Sequence, residues 1–386
     1  MSDLAYLEPR IHGALGNVID PELHRPLTQL NMVAGIEIDD LGAATVTIRL
    51  TTPGCPASRR IADDVENAVR RVRGVTDVHV VITVMSPAER ADLVTRLRGD
   101  AATRGIPFGP DSPTKVLAVA SGKGGVGKST ITANLAVELV SRGLAVGVID
   151  ADVFGFSVPG LLGLVEADAT GVRRSVRPTR VDGMILPPVA HGVRVISIGM
   201  FLDDTASAVA WRGPMLHRTI KQFLTDVHFA EIDVLLVDLP PGTGDIALSL
   251  GQLLPSADVI VVTTPQPAAA EVAERSGALA QQAKQSIFGV IENMASARRA
   301  DGSVDDLFGS GGGRQVAERL SRATGASVPL LASVPLSRVL REGGDVGLPV
   351  VLSHPDDPAS RAIGHVADAV IEQVRTRAAA PEPAMA

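Results

Sequence analysis

Cysteine is almost absent: Cys55 is the single one among 386 residues. That excludes an intrachain disulfide and any metal centre built from several cysteines of one chain. Aromatic residues are scarce as well, at 3%, with one Trp and one Tyr. There is no excess of positive charge. The net charge is −7, so no global attraction for nucleic acid or for an anionic membrane is expected. No apolar run approaches the roughly 20 residues of a membrane span. The opening "MSDLAYLEPRIHGAL" has no basic region followed by an apolar core, so no secretory signal is expected and the chain reads as cytoplasmic. What is present is ordinary for a soluble protein with a substantial core: 45% hydrophobic and 20% charged residues. The length suits two or three domains, and no internal repeat is evident.

Residues 1–85 read as a small α/β domain. "AATVTIRL" alternates, with Ala44, Val46, Ile48 and Leu50 facing one way. It is predicted to pair with "VAGIEI" through a turn around Asp39, Asp40 and Gly42. A helix carrying Ile61, Val65, Ala68, Val69 and Val72 follows, then a strand at "VHVVITV". Residues 86–114, charged and then rich in Pro and Gly, read as a linker. From 115 to 377 the pattern changes. "VLAVAS", "LAVGVID", "VRVISIG", "DVLLVD", "DVIVVTT", "IFGVIEN" and "PLLASVP" are almost continuously apolar, as parallel strands buried on both faces are. Alternating with helices, they predict a doubly wound, mostly parallel sheet. The tail 378–386 is expected to be disordered.

The first such strand runs into "SGKGGVGKST". "GKGGVG" matches the dinucleotide fingerprint G-x-G-x-x-G, and Asp150 could pass for its ribose-binding acid. A dinucleotide loop, however, needs no lysine after its last glycine. A nucleoside-triphosphate loop needs Lys for the β- and γ-phosphates and a hydroxyl for Mg²⁺, and Lys128 and Ser129 supply both between a strand and a helix. Gly122, Lys123, Gly124, Gly125, Val126, Gly127, Lys128, Ser129 and Thr130 are the candidate phosphate-binding residues. A Mg²⁺–triphosphate site also wants a carboxylate at the tip of a neighbouring strand, and Asp238 ends "DVLLVD". Asp150 and Asp152 flank Ala151 at another strand end. Either they serve a water and the metal shell or they cap the strand-to-loop transition. Cys55 stands just before the helix carrying Ile61. A thiolate favoured by the helix N-terminus and a small buried hydrophobe are its two readings.

Lys123 is one ammonium more than a single phosphate loop needs. With it, KGGVGKS resembles the deviant phosphate loop of the MinD, ParA and nitrogenase-iron-protein class. That resemblance implies an ATP-hydrolysing homodimer in which Lys123 reaches the partner's phosphates, alongside Lys128 in its own chain. It implies that Asp152 positions the attacking water, Asp238 belongs to the Mg²⁺ shell, and Gly242 to Asp245 form a γ-phosphate sensor. It also implies that Asn293 reads adenine and that Pro335 lines the base pocket.

Further segments narrow the resemblance. "DADVFGFSVPGLLG", "WRGPML", "VDLPPGTGDIALSL", "VTTPQPAAAEVAERSG", "VIENM" and "FGSGGG" resemble the Mrp/ApbC-type iron–sulfur cluster carrier ATPases. "DPEL" and "TTPGCP" resemble the small cluster-maturation domain often fused to them. The resemblance implies ATP, Mg²⁺ and an iron–sulfur cluster as ligands and apoproteins as clients; the charge balance leaves neither nucleic acid nor membrane as an expected partner. There is one departure. Where such proteins carry Cys-x-x-Cys, this chain runs "ENMASARRADGS" without a cysteine. That leaves Cys55 as the one thiol available to a cluster, and it opens a second reading, an ATP-gated adaptor without its own cluster. A third reading is a positioning ATPase like MinD and ParA, but the mixed charge of "RAIGHVADAVIEQVRTR" suits a helix docked on the sheet better than a membrane anchor.

Overall fold

The computed structural model describes residues 6–53, 55, 57–98, 106–153, 155–167, 173–202, 213–242, 245–266, 275, 278, 280–298 and 301–379. The chain divides into two compact units, Met1–Gly105 with Thr179–Pro187, and Ile106–Pro178 with Pro188–Ala386.

The small unit is built on three strands, β1 (Val33–Ile38), β2 (Ala43–Leu50) and β3 (Asp77–Val84), with β2 in the middle. β1 and β2 pair antiparallel and β2 and β3 parallel. The alternation in "AATVTIRL" is realised: Ala44, Val46, Ile48 and Leu50 are buried. The turn before them forms because the Asp39 carboxylate accepts the amides of Leu41 and Ala43 and Gly42 takes φ +84°. Helix Ser58–Arg70 covers the sheet with Ile61, Val65 and Val69. Two features depart from the expected organisation. Part of the expected linker, Pro87–Arg98, is a helix whose Leu93, Val94 and Leu97 join this unit's core. The hairpin of Thr179–Val181 and Met184–Leu186, more than 70 residues along the chain, adds Val181, Met184 and Leu186 to the same core. Its turn is Asp182-Gly183, both at positive φ, the two-residue Asp-Gly connection that matches the twist of paired strands.

The large unit holds an eight-stranded sheet. From edge to edge its strands are Val189–Ala190, Val193–Ser197, Val146–Asp150, Val234–Asp238, Lys115–Ser121, Asp258–Thr263, Ile287–Ala295 and Leu330–Pro335. All neighbours pair parallel except the first two. The seven apolar runs are thus seven parallel strands of one sheet, and the fold class is doubly wound α/β. Lys115–Ser121 lies centrally, and the helix that follows it, Lys128–Ser141, is buried on nearly every side by Ile131, Ala133, Leu135, Ala136, Val137 and Leu139. Such a helix is pinned by its surroundings rather than by one amphipathic stripe. Helix Pro358–Ala379 packs against it and against strand Leu330–Pro335, as a docked helix would. Among the described residues no helix is long and apolar enough to cross a membrane.

In an open parallel sheet, ligands bind outside the carboxyl ends of the strands, where the strand order reverses. Here that place lies beyond Ser121, Asp150 and Asp238.

Candidate functional site

Residues 121–130 leave the central strand, wrap a loop and enter the buried helix. Gly125 and Gly127 take φ +79° and +80°, conformations that cost a side chain dearly. Lys128 is the helix's first residue, so the unpaired N–H groups of its first turn face the loop, a ready anion site. A cavity of about 350 Å³ opens there, lined by the loop residues Lys123 to Thr130 and by Ser121, Asp152, Gly155, Ser157 and Pro241.

Beneath the loop a buried carboxylate gathers three donors. Asp238, fully buried, accepts Lys128 Nζ at 2.8 Å, Ser129 Oγ at 2.5 Å and Thr132 Oγ1 at 2.8 Å. Asp150 lies opposite Asp238 on the next strand. Burial first, and then the charge of Asp238, push the Asp150 carboxyl well above the usual carboxylate range; bonds from Ser197 and the Asp152 amide pull the other way. Ser197 Oγ donates to Asp150 at 3.0 Å, from the strand paired with it at that residue. Asp150 therefore sits behind the cavity, whereas Asp152 lines it, its Oδ1 accepting the Gly155 amide at 3.1 Å. A hydroxyl beside a carboxylate is a hard oxygen donor set. It fits Mg²⁺, which needs one or two protein carboxylates and takes its remaining oxygens from phosphate and water; Ser129 and Asp238 would hold it.

Of the other candidates, Lys123 shares the cavity, whereas Asn293 and Pro335 do not line it. Lys123 Nζ donates to Gln266 Oε1 of its own chain at 3.0 Å. Asn293, 4% exposed, donates Nδ2 to the Val126 carbonyl at 2.8 Å. It lies under the loop rather than on the cavity wall. Pro335 ends the edge strand and does not line the cavity either. Of the expected γ-phosphate sensor, Thr243 and Gly244 lie outside the described residues. The same holds for Trp211-Arg212 and for 267–274 of the quoted segments, and for 380–386 of the tail.

In the small unit, the geometry of Cys55 suits the second of its two readings, a small buried residue. Helix Ser58–Arg70 starts three residues later, and the Cys55 carbonyl, not its sulfur, meets the Ser58 amide. The sulfur is buried in the unit's core, 3.8 Å from Glu22 Oε2. Burial first, then the nearby Glu22 and Asp20 carboxylates, push the thiol up to about 11, against the Ala57 backbone amide, which pulls it down. "DPEL" explains part of this. Asp20 Oδ1 accepts the amides of Glu22 and Leu23 at 2.9 and 2.7 Å, a turn that brings Glu22 to the sulfur. Thr179 of the distant hairpin donates to the other Glu22 oxygen at 3.0 Å.

Comparison with known proteins agrees with both units. Residues 112–371 match the family model described as NUBPL iron-transfer P-loop NTPase, and residues 8–101 that of an iron–sulfur cluster assembly protein. The "Iron-sulfur cluster carrier protein" of Mycobacterium tuberculosis is 52% identical over 94% of this chain and 92% of its own. The chain belongs to the iron–sulfur cluster carrier family of P-loop NTPases. Proteins of the same name as the Mycobacterium tuberculosis relative in Synechocystis sp. and Bacillus subtilis are 40% and 38% identical, covering 92% and 86% of this chain and 95% and 88% of theirs. Among solved structures, the nucleotide-binding protein of Archaeoglobus fulgidus in complex with ADP is 32% identical over 64% of this chain and 90% of that one, at a TM-score of 0.49.

The loop, Asp238 and Asp152 were named from sequence; three residues that hydrogen-bond to the candidate site residues were not, namely Thr132, Ser197 and Gln266. Thr132 carried a signal, one helical turn beyond Lys128 on the same face. Ser197 and Gln266 carried none, because their partners are set by strand order. For Cys55 the geometry gives a direct expectation. A thiol raised from 9.0 to about 11 holds about 100-fold less thiolate at neutral pH. Iodoacetamide at pH 8, followed by mass spectrometry, should label the native protein at least that much more slowly than the urea-unfolded chain. Equal rates would show Cys55 to be an open, reactive thiol.

Proposed function

We propose that this protein hydrolyses ATP in a nucleotide-sandwich homodimer and couples that cycle to handling iron–sulfur clusters for client apoproteins. The observation that carries the ATPase part is the convergence of Lys128, Ser129 and Asp152 on one cavity at the strand ends, with Asp238 buried behind it and bonded to Lys128 and Ser129. In this reading the loop amides and Lys128 hold the phosphates, and Ser129 with Asp238 holds Mg²⁺, which would offset charge on the β- and γ-phosphate oxygens. Asp152, facing the cavity, orients the attacking water and takes up its proton. Lys123 belongs to the partner's reaction: in its own chain it rests on Gln266, and a closed dimer would deliver it to the opposite phosphates as positive charge in the transition state.

Family membership supports the cluster-handling part, and the relatives bear the name of carriers. The donor set here narrows how it is done. Soft thiolates are the usual cluster ligands, and one buried Cys55 per chain leaves a dimer two short of four. A cluster handled by this protein would draw its remaining ligands from outside it, from a client's cysteines or a small thiol. The burial of Cys55 favours a second reading, an ATP-gated adaptor that brings partners together without holding a cluster itself.

Lys123→Ala should leave ATP affinity within a few-fold while lowering turnover about 100-fold or more. Mixed with Lys128→Ala chains it should regain activity, since one site of the mixed dimer then has both lysines; unchanged turnover in the Lys123→Ala protein alone sinks the trans role. Asp152→Asn should bind ATP and Mg²⁺ normally and lose about 10²–10⁴-fold in rate, measured as phosphate release. A variant at the parental rate would move the water-positioning role to another group. Anaerobic reconstitution with iron and sulfide, with and without a client apoprotein, separates carrier from adaptor. Iron–sulfur absorption that appears with the parent and vanishes in Cys55→Ser, ATP turnover intact, supports the carrier. No absorption in any combination supports the adaptor.

A further inference from the structure

Strand Ile287–Ala295 ends irregularly. Its register with Leu330–Pro335 slips between Glu292 and Ala295, and Met294 takes φ +56°. A non-glycine residue in that region persists only where its surroundings hold it, and a slip of this kind re-aims the side chains beside it. Both neighbours preceding Met294 are engaged. Glu292, 5% exposed, accepts the Gly313 amide at 2.8 Å and Ser333 Oγ at 2.9 Å, tying the strand to helix Gly312–Thr324 and to the edge strand. At Gly313 an added Cβ would stand 2.5 Å from Glu292 Cβ, so only glycine permits that approach. Asn293 is thereby aimed under the phosphate loop, where it donates to the Val126 carbonyl. The fit is tight: an added Cβ on Gly127 would lie 2.2 Å from Asn293 Nδ2.

We infer that Asn293 is a positioning residue for phosphate binding, its amide, anchored through Glu292, setting the shape of the phosphate loop through the Val126 carbonyl. The inference rests on the nucleotide-hydrolysing reading above. A trans peptide is planar, with C=O and N–H pointing opposite ways. Holding the Val126 carbonyl on Asn293 therefore turns the Gly127 N–H away from Asn293, and Gly127 lines the cavity. The side chain thus fixes a loop donor for phosphate whatever base the nucleotide carries. An asparagine that read only the base would have no need of the carbonyl it holds.

A ligand without a base separates the two roles. In the full-length protein, a fluorescent ADP analogue is displaced by ADP and by tripolyphosphate, for the parent, Asn293→Asp and Asn293→Ala. Aspartate keeps the shape but sets an oxygen against the Val126 carbonyl. Both variants should weaken both competitors by similar factors, about 10-fold or more for a lost buried hydrogen bond. Glu292→Gln, which leaves Asn293 in place and loosens its anchor, should give a smaller loss that is again parallel for the two competitors; it carries the test if the Asn293 variants do not fold. Affinity lost for ADP alone overturns the inference in favour of base reading. Unchanged affinities overturn it as well, as does a parent from which tripolyphosphate displaces nothing. A parent that binds no ADP analogue at all would overturn the underlying nucleotide reading instead.

Discussion

The large unit turns on one buried carboxylate. Asp238 is fully buried at the end of an apolar strand, where an unpaired charge would be severely penalised. The Lys128 ammonium and the hydroxyls of Ser129 and Thr132 make it tolerable. Those three come from the first turns of one helix, so the same contacts that satisfy Asp238 lock that helix against the sheet and set where the phosphate loop must end. Removing one partner of such a pair costs about 3–5 kcal/mol, mostly as the penalty of the charge left behind. Stability and chemistry share these atoms. The arrangement that satisfies the buried carboxylate also sets a lysine and a hydroxyl at the cavity.

The loop is held from a second side by the slipped end of Ile287–Ala295. Asn293 fills the space that a side chain on Gly127 would need, so the glycine there answers two constraints at once, its positive φ and the amide beneath it. The loop therefore lies between a buried helix start and a fixed amide, a preorganised cradle rather than a flexible strap. A site of this kind spends little of its binding energy on ordering itself.

How much of this was legible follows from where each partner lies in sequence. Loop, helix start and strand-end carboxylates are local patterns, and seven apolar runs were enough to predict a parallel sheet. What escaped depends on distance. Ser197 reaches Asp150 because their strands are neighbours, an order no local pattern states. Helix Pro87–Arg98 hid inside a stretch read as a linker, its charged surface masking three buried residues. Cys55 is the clearest case. Proximity in sequence to a helix start suggested a lowered thiol, but its environment is set by Glu22, which a turn at Asp20 delivers and Thr179 of a distant hairpin holds. Two carboxylates and burial outweigh the one amide, that of Ala57 just before the helix, which favours the thiolate.

The same electrostatics bear on the second lysine. Near the cavity stand three carboxyl groups, Asp150, Asp152 and Asp238, and one committed ammonium, Lys128, already bonded to Asp238. Burial and the charge of Asp238 push the Asp150 carboxyl well above its usual range, so a further negative charge is disfavoured beside the pair of Lys128 and Asp238. A bound triphosphate would add several negative charges to a site whose own lysine is spent, and Mg²⁺ offsets two of them. In the proposed reaction, charge would gather on the departing γ-phosphate, where added positive charge would lower the barrier. Lys123, by contrast, donates to a neutral glutamine side chain. Within the proposed dimer it is the charge that a second chain would bring, so hydrolysis would wait on assembly.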